Sequence, residues 1–180
     1  MTRTIRVLFR LGLLGAIVAW LADRWLRGRA GGAAPGPFAS LVVIDAPIER
    51  VWTELADIEG QPRWMHEMKS VRLSTPPPVG IGTRGEATVQ IFGLGTTDPV
   101  EVTEFDPPRR FAIRHEGAFT GGGVITAEPG PDGTTTIVRW DETLIAPVLP
   151  HLWALLAAPI MTSIFQADLL RFRDLVEAGD

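Results

Sequence analysis

The chain has 180 residues, of which 46% are apolar and 21% charged, so it can bury a core of one domain with an appendage and is too apolar for global disorder. It has no Cys, Asn or Tyr, which excludes disulfides, thiol nucleophiles, cysteine metal sites, N-glycosylation and a tyrosine proton donor. Charge is split, with +5 over residues 1–37 and −9 over the remainder; the acidic body repels nucleic acid, and the basic end suits an anionic lipid surface.

Leu11 to Ala22 is an uncharged apolar run, flanked by Arg10 on one side and Asp23 and Arg24 on the other. Extending it to Val7–Leu26 reaches spanning length. Three readings are open: a single-pass membrane anchor over residues 1–27, an interfacial helix with its arginines on one side, or a cleaved signal peptide. We take the anchor as the expectation, which places the protein on a membrane through its N-terminus. Arginines flank both ends of the run, so the side of the membrane is left open. Residues 28–39, rich in Gly, Ala and Pro, are expected to be a flexible linker.

A domain is expected over residues 40–178. Ser40–Asp45 predicts a buried strand, and Ile48–Ile58 a helix with Val51, Trp52 and Leu55 on one face. Arg63–Met68 follows as a short helical turn holding Trp64. Strand-like runs come next: Lys69–Ser74, Arg84–Phe92, Pro99–Asp106, Arg110–Glu116, Gly123–Glu128 and Thr134–Leu144, parted by Pro- and Gly-rich turns. Gly80, Gly82 and Gly85 match a dinucleotide-binding spacing, but triple proline precedes them and a strand follows, so they predict a loop entering a strand. From Pro159 to Ala178, Met161, Phe165, Leu169, Phe172 and Val176 form one apolar stripe of a long helix. A sheet of many strands with one long helix to cover it has to curl around that helix, and the gap between them is a natural apolar pocket.

The opening Ala46–Glu59 (APIERVWTELADIE), Pro62-x-Trp64, Val102–Arg114 (VTEFDPPRRFAIR), the Thr134–Leu144 strand and the long final helix together resemble the START-like (SRPBCC) superfamily. They look closest to its polyketide cyclase/dehydrase group. The resemblance runs from about Ser40 to Glu177 and implies an α+β helix-grip fold. That superfamily includes lipid carriers, cyclases, hydroxylase domains and hormone receptors, so the site has to decide the function.

Strand parity and the helix stripe propose Trp64, Val89, Ile91, Ile113, His115, Trp140, Met161 and Phe165 as lining for an apolar small molecule such as a lipid, isoprenoid or polyketide. His115 shares a face with Phe111 and Ile113 and is a candidate donor or acid–base group, the ordinary alternative being a satisfied sheet histidine. Trp140 and Glu142 share one face of their strand, Arg139 and Asp141 the other. The sequence displays no acid–base pair, no catalytic residue is assigned, and the three separated His (His66, His115, His151) predict no metal site. No cofactor is expected. Asp168 sits at the edge of the helix stripe, where burial would raise its pKa, but a surface position is the expectation. Leu144–Phe165 carries no Asp, Glu, Lys or Arg. Its Trp153 and Leu156 are candidates for an apolar lip that touches membrane lipid. The expectation is a membrane-tethered carrier, the alternative a cyclase/dehydrase-type enzyme using the same cavity, and a third reading a protein-interaction module with a collapsed cavity.

Overall fold

The computed structural model describes residues 3–91 and 93–179. The first two residues of the expected anchor, and Phe92 at the end of an expected strand, lie outside the described residues. In chain order the elements are α1 (Arg3–Arg29), β1 (Phe38–Ile44), α2 (Ile48–Ala56), a 3₁₀ turn (Ile58–Arg63), β2 (Met68–Leu73), β3 (Arg84–Ile91), β4 (Leu94–Asp106), β5 (Arg110–Glu116), β6 (Thr120–Pro129), β7 (Thr136–Ile145) and α3 (Pro150–Ala178). The strands form one sheet in the order β1-β7-β6-β5-β4-β3-β2, every neighbouring pair antiparallel. This is the α+β helix-grip architecture: a curved sheet closed around a long C-terminal helix.

The alternation that predicts the strands also sorts their faces. Along β1, Phe38, Ser40, Val42 and Ile44 are buried while Ala39, Leu41 and Val43 are exposed. Register carries that inner face across the sheet, from Ile44 and Val42 opposite Thr136 and Val138, through Ile125 opposite Trp140, to Phe111 opposite Ile125. These side chains join Leu169, Phe172 and Val176 of α3 and Val51 and Leu55 of α2 in one core. On the outer face the charges pair with each other: Arg139 with Asp141, Arg110 with Glu104, and Arg84 and Arg114 with Glu101.

The free edge of β1 is not left open. Gln166 of α3 accepts from the Leu41 N–H at 3.2 Å and donates to the Leu41 carbonyl at 3.0 Å, and Glu177 accepts from the Asp45 N–H at 2.8 Å. An edge strand with its backbone groups taken by side chains cannot recruit another strand there. At the other edge, Glu59 accepts from the Leu73 N–H at 3.0 Å.

Several boundaries depart from the sequence expectation for local reasons. β1 begins at Phe38, two residues earlier, because Phe38 already pairs with Glu142. The helical turn expected at Arg63–Met68 lies earlier, at Ile58–Arg63, where Asp57 caps it by accepting from Gly60 N–H at 3.1 Å. β4 starts at Leu94 rather than Pro99, because Gly93 at φ +81° makes the tight turn from β3. Pro99 is tolerated within β4 because it lies beyond the last β5 pairing, Val100 with His115. α3 starts at Pro150, not Pro159. Pro150 suits a first helical turn, and Pro159 removes a bond only from the carbonyl of Leu155, an exposed residue.

The side chains of α1 behave unlike any others. Leu8, Phe9, Ile17 and Val18 point in four well-separated directions around the helix, and all four are exposed. Its one buried residue is Asp23.

Candidate functional site

Trp140 and Glu142 share the inner face of β7, with Gly123 of β6 opposite Glu142 and Ile113 of β5 opposite Gly123. His115 follows Ile113 on the same face. The Glu142 side chain reaches across β6 to place Oε1 2.7 Å from His115 Nε2, while its Oε2 accepts from Trp140 Nε1–H at 2.9 Å. The reach needs a glycine in the middle: a Cβ at position 123 would stand 2.3 Å from Glu142 Oε2 and 3.2 Å from Trp140 Nε1. Gly121, opposite His115, has φ +117°, and a Cβ there would meet the Thr143 carbonyl at 2.2 Å. Gly123 therefore clears the floor beneath the pair, while a Cβ at Gly121 or Gly122 would meet the backbone of a neighbouring strand.

Glu142 is 3% exposed, whereas the His115 side chain retains 20%, so the carboxylate is sealed and the imidazole sits nearer the opening. Burial alone would push the His115 pKa down. The Glu142 hydrogen bond, the Glu142 charge and the charge of Asp98 outweigh it, and the net shift is upward. Asp98 is itself fixed within β4, opposite Ala87 of β3, where its Oδ1 accepts from Thr96 Oγ1 at 3.0 Å and from Ala118 N–H at 3.1 Å. Nε2 of His115 is committed to Glu142, which leaves Nδ1 without a hydrogen-bond partner among the described residues. The arrangement orients an imidazole, favours its protonated form and offers one N–H, the requirement for a hydrogen-bond donor or general acid. An acid–base pair, not displayed by the sequence, is thus made by the fold.

The rest of the grip is aromatic. Phe172 and Trp64 have ring centroids 4.9 Å apart, Trp64 and Trp140 6.0 Å, Trp140 and Phe165 4.8 Å, Phe165 and Phe38 6.3 Å, Phe38 and Trp153 6.0 Å, and Trp153 and Phe119 5.0 Å. This row fills the space between sheet and helix. Two open clefts lie elsewhere: about 290 Å³ on the sheet rim beside Arg72, Arg84 and Glu116, and about 310 Å³ at the end of α1 beside Arg24 and Arg27. The expected open gap is occupied by side chains, the packing that the collapsed-cavity reading expects. Ser40 Oγ and Trp64 Nε1 are both buried without a partner among the described residues; Ser40 stands opposite Trp140 in register.

The proposed lining residues fall as follows. Trp64 and Met161 are fully buried, and Trp140 is buried beside Glu142. Phe165 and Ile113 are half-buried and pack on the core. Val89 and Ile91 are half-buried at the far end of β3, on the face of Ala87. Trp153 turns inward onto Phe38 and Phe119, while Leu156 is 67% exposed beside Leu155, Ile160 and Val148. Glu142, Gly123 and Asp98 were not assigned from the sequence. Three successive glycines inside a strand were the available signal, since such glycines mark close approach by another group.

Asp168 is buried, not at the surface. Burial pushes its pKa up, against the opposing effect of the His66 N–H and Arg171, which both bond its Oδ1. It ties α3 to the segment after the 3₁₀ turn and stands apart from the His115–Glu142 pair.

A family model described as "Polyketide cyclase / dehydrase and lipid transport" matches residues 38–177, the whole sheet and α3. The chain belongs to this family. None of the curated proteins compared with it matches. Solved structures share the fold. A Thermus thermophilus protein aligns with TM-score 0.65 and 24% identity, over 81% of this chain and 99% of its own. The Zhui aromatase/cyclase from a Streptomyces species gives 0.60 and 20%, over 77% and 92%. A START superfamily protein from Mycobacterium smegmatis gives 0.57 and 17%, over 80% and 96%. The family match begins at residue 38, so α1 lies outside it.

Proposed function

We propose that this family member is a membrane-tethered binding domain for an apolar small molecule with one polar end, a lipid, isoprenoid or polyketide. The apolar body lies along the aromatic row between α3 and the sheet, and the polar end meets His115. The observation that carries this reading is the His115–Glu142–Trp140 set, its carboxylate buried and its imidazole partly so, on the inner face of a sheet lined mostly with apolar side chains. Burying a carboxylate and an imidazole costs several kcal/mol of desolvation, and apolar residues of similar volume would stabilise the core at least as well. Ser40 Oγ and Trp64 Nε1 support the same reading, because a ligand oxygen near Trp140 would satisfy donors that the protein leaves unpaired. Each Å² of ligand surface buried against the row contributes about 25 cal/mol.

Tethering rests on α1. The Leu11–Ala22 stretch of α1 is uncharged on every side; such a stretch belongs in a core or in a membrane, and α1 is not in the core. Its 27 residues have a mean hydropathy of 1.9 over the most apolar window, with none of that window buried.

A second reading is favoured by one observation, the upward shift of His115 inside the pair. A protonated imidazole can polarise a ligand carbonyl, or protonate a departing hydroxyl so that it leaves as water and then, as the neutral ring, take up the proton of the neighbouring carbon as the double bond forms, while Glu142 holds the ring. The domain would then catalyse cyclisation or dehydration rather than only carry its ligand.

Native mass spectrometry of the full chain released from detergent micelles tests the binding reading. A co-purified small molecule on the native chain, reduced in His115→Ala, is the expected result. Bare protein for both chains, with palmitate and an aromatic polyketide offered in excess, would sink it. Chemical conversion of the polyketide by the native chain, absent in His115→Ala, would establish the enzymatic reading.

A further inference from the structure

The start of α3 is capped from another helix. Its N-cap residue is Leu149, held at φ +50° with no side chain able to accept a hydrogen bond. Pro150 has no N–H, and Trp153 N–H bonds the Leu149 carbonyl at 2.8 Å. The two remaining first-turn donors, His151 and Leu152, both bond Asp23 Oδ1 of α1, at 2.8 and 3.0 Å. Asp23 is the lone acid among the first 37 residues, and at 9% exposure it is the one buried residue of a helix that is otherwise exposed apart from the half-buried Ala19, Ala22 and Leu26. A carboxylate there meets both the bare N–H groups and the positive end of the helix dipole.

The same place gathers the features of a bilayer contact. Arg24 lies 5.1 Å over the Trp20 ring and Arg29 4.9 Å over the Trp25 ring, a headgroup-level pairing of cation and aromatic. Beside them, α3 and the residues before it expose Val148, Leu155, Leu156 and Ile160. No charged residue occurs between Leu144 and Phe165, so this is the end at which an acidic body can approach an anionic surface.

We infer that Asp23 latches α1 to the start of α3 and so holds the Val148–Leu155–Leu156–Ile160 ridge against the bilayer face from which α1 emerges. The partner of the ridge is the lipid surface itself. The inference rests on the tethering reading and sharpens it: the anchor is a docked part of the mouth, and the aromatic row, whose outermost members are Trp153 and Phe119, opens toward lipid.

The absence of native Cys lets single labels be placed directly. Full chains carrying Leu14→Cys, Leu156→Cys or Val43→Cys, each with an environment-sensitive fluorophore, are reconstituted in vesicles of phosphatidylcholine, phosphatidylglycerol and brominated phosphatidylcholine. Positions 14 and 156 should be quenched by bromine, and position 43, exposed on β1 at the opposite end, should not. Adding Asp23→Ala should remove most quenching at 156 and leave that at 14; Asp23→Asn keeps an accepting oxygen and should preserve both. A label at 156 quenched no more than one at 43 overturns the inference, as does quenching at 156 that is equal in Asp23→Ala and the native chain. In either case ligand retained in mass spectrometry leaves the binding reading standing. An unquenched label at 14 removes tethering and latch together.

Discussion

The two halves of α3 are built to different ends. From Met161 to Val176 the helix buries Met161, Asp168, Leu169, Phe172 and Val176, and its carboxylate Asp168 is bound by Arg171 and a backbone N–H. From Pro150 to Ile160 it buries no residue, exposes Leu155, Leu156 and Ile160, and borrows its cap from α1. The sheet follows the same division. Trp64, Val138 and Ile44 close one end, while His115, Glu142 and Trp153 occupy the end toward the ridge. One end secures the fold, and the surplus stability lets the other carry a buried charged pair and exposed apolar surface, both of which a purely structural domain would shed.

That contrast can be broken by mutation. Phe172→Ala at the closed end should give the largest effect, a loss of ~3–5 kcal/mol in urea unfolding, because it leaves a cavity beneath Trp64. Glu142→Ala should cost less, ~2 kcal/mol, by stranding His115 and Trp140 Nε1. Gly123→Ala should cost ~1 kcal/mol, because the new Cβ displaces only the tip of a side chain. Its clearer effect is to part Glu142 from His115, so that burial prevails and the His115 pKa falls below its native position in an NMR titration. Leu156→Ser should change stability by less than ~0.5 kcal/mol while weakening vesicle association.

The pH dependence sharpens the same comparison. His115 has a folded pKa raised above its ordinary value of 6.5, so the folded state holds the proton more tightly than the unfolded chain. The pair's stabilisation is complete below about pH 6.5 and is lost as pH rises through the folded-state value. His115→Gln should flatten that part of the stability profile.

Much of the fold was legible because it rests on local periodicity. The alternation of Ala87, Val89 and Ile91, the shared face of Phe111, Ile113 and His115, and the recurrence along α3 each state which residues share a side. The site was only half legible for the opposite reason. His115 and Glu142 are 27 residues apart and meet across an intervening strand, so their contact depends on register and on the bare floor at Gly123. The Asp23 cap joins residues 128 apart, and within α1 the acid looks like a mere interruption of an apolar run. The filled interior was also hidden, since residue pattern marks which side chains turn inward but not whether they meet in the middle.

The central claim is that the aromatic row yields to a ligand at the His115 end. The direct test is ¹⁹F NMR of the full chain in nanodiscs with all six tryptophans replaced by 5-fluorotryptophan, titrated with palmitate and with an aromatic polyketide. The account predicts saturable shifts at Trp140 and Trp153, with Trp52, which packs on Phe105 outside the row, unmoved. Unchanged Trp140 and Trp153 resonances with both ligands at saturating amounts would contradict it.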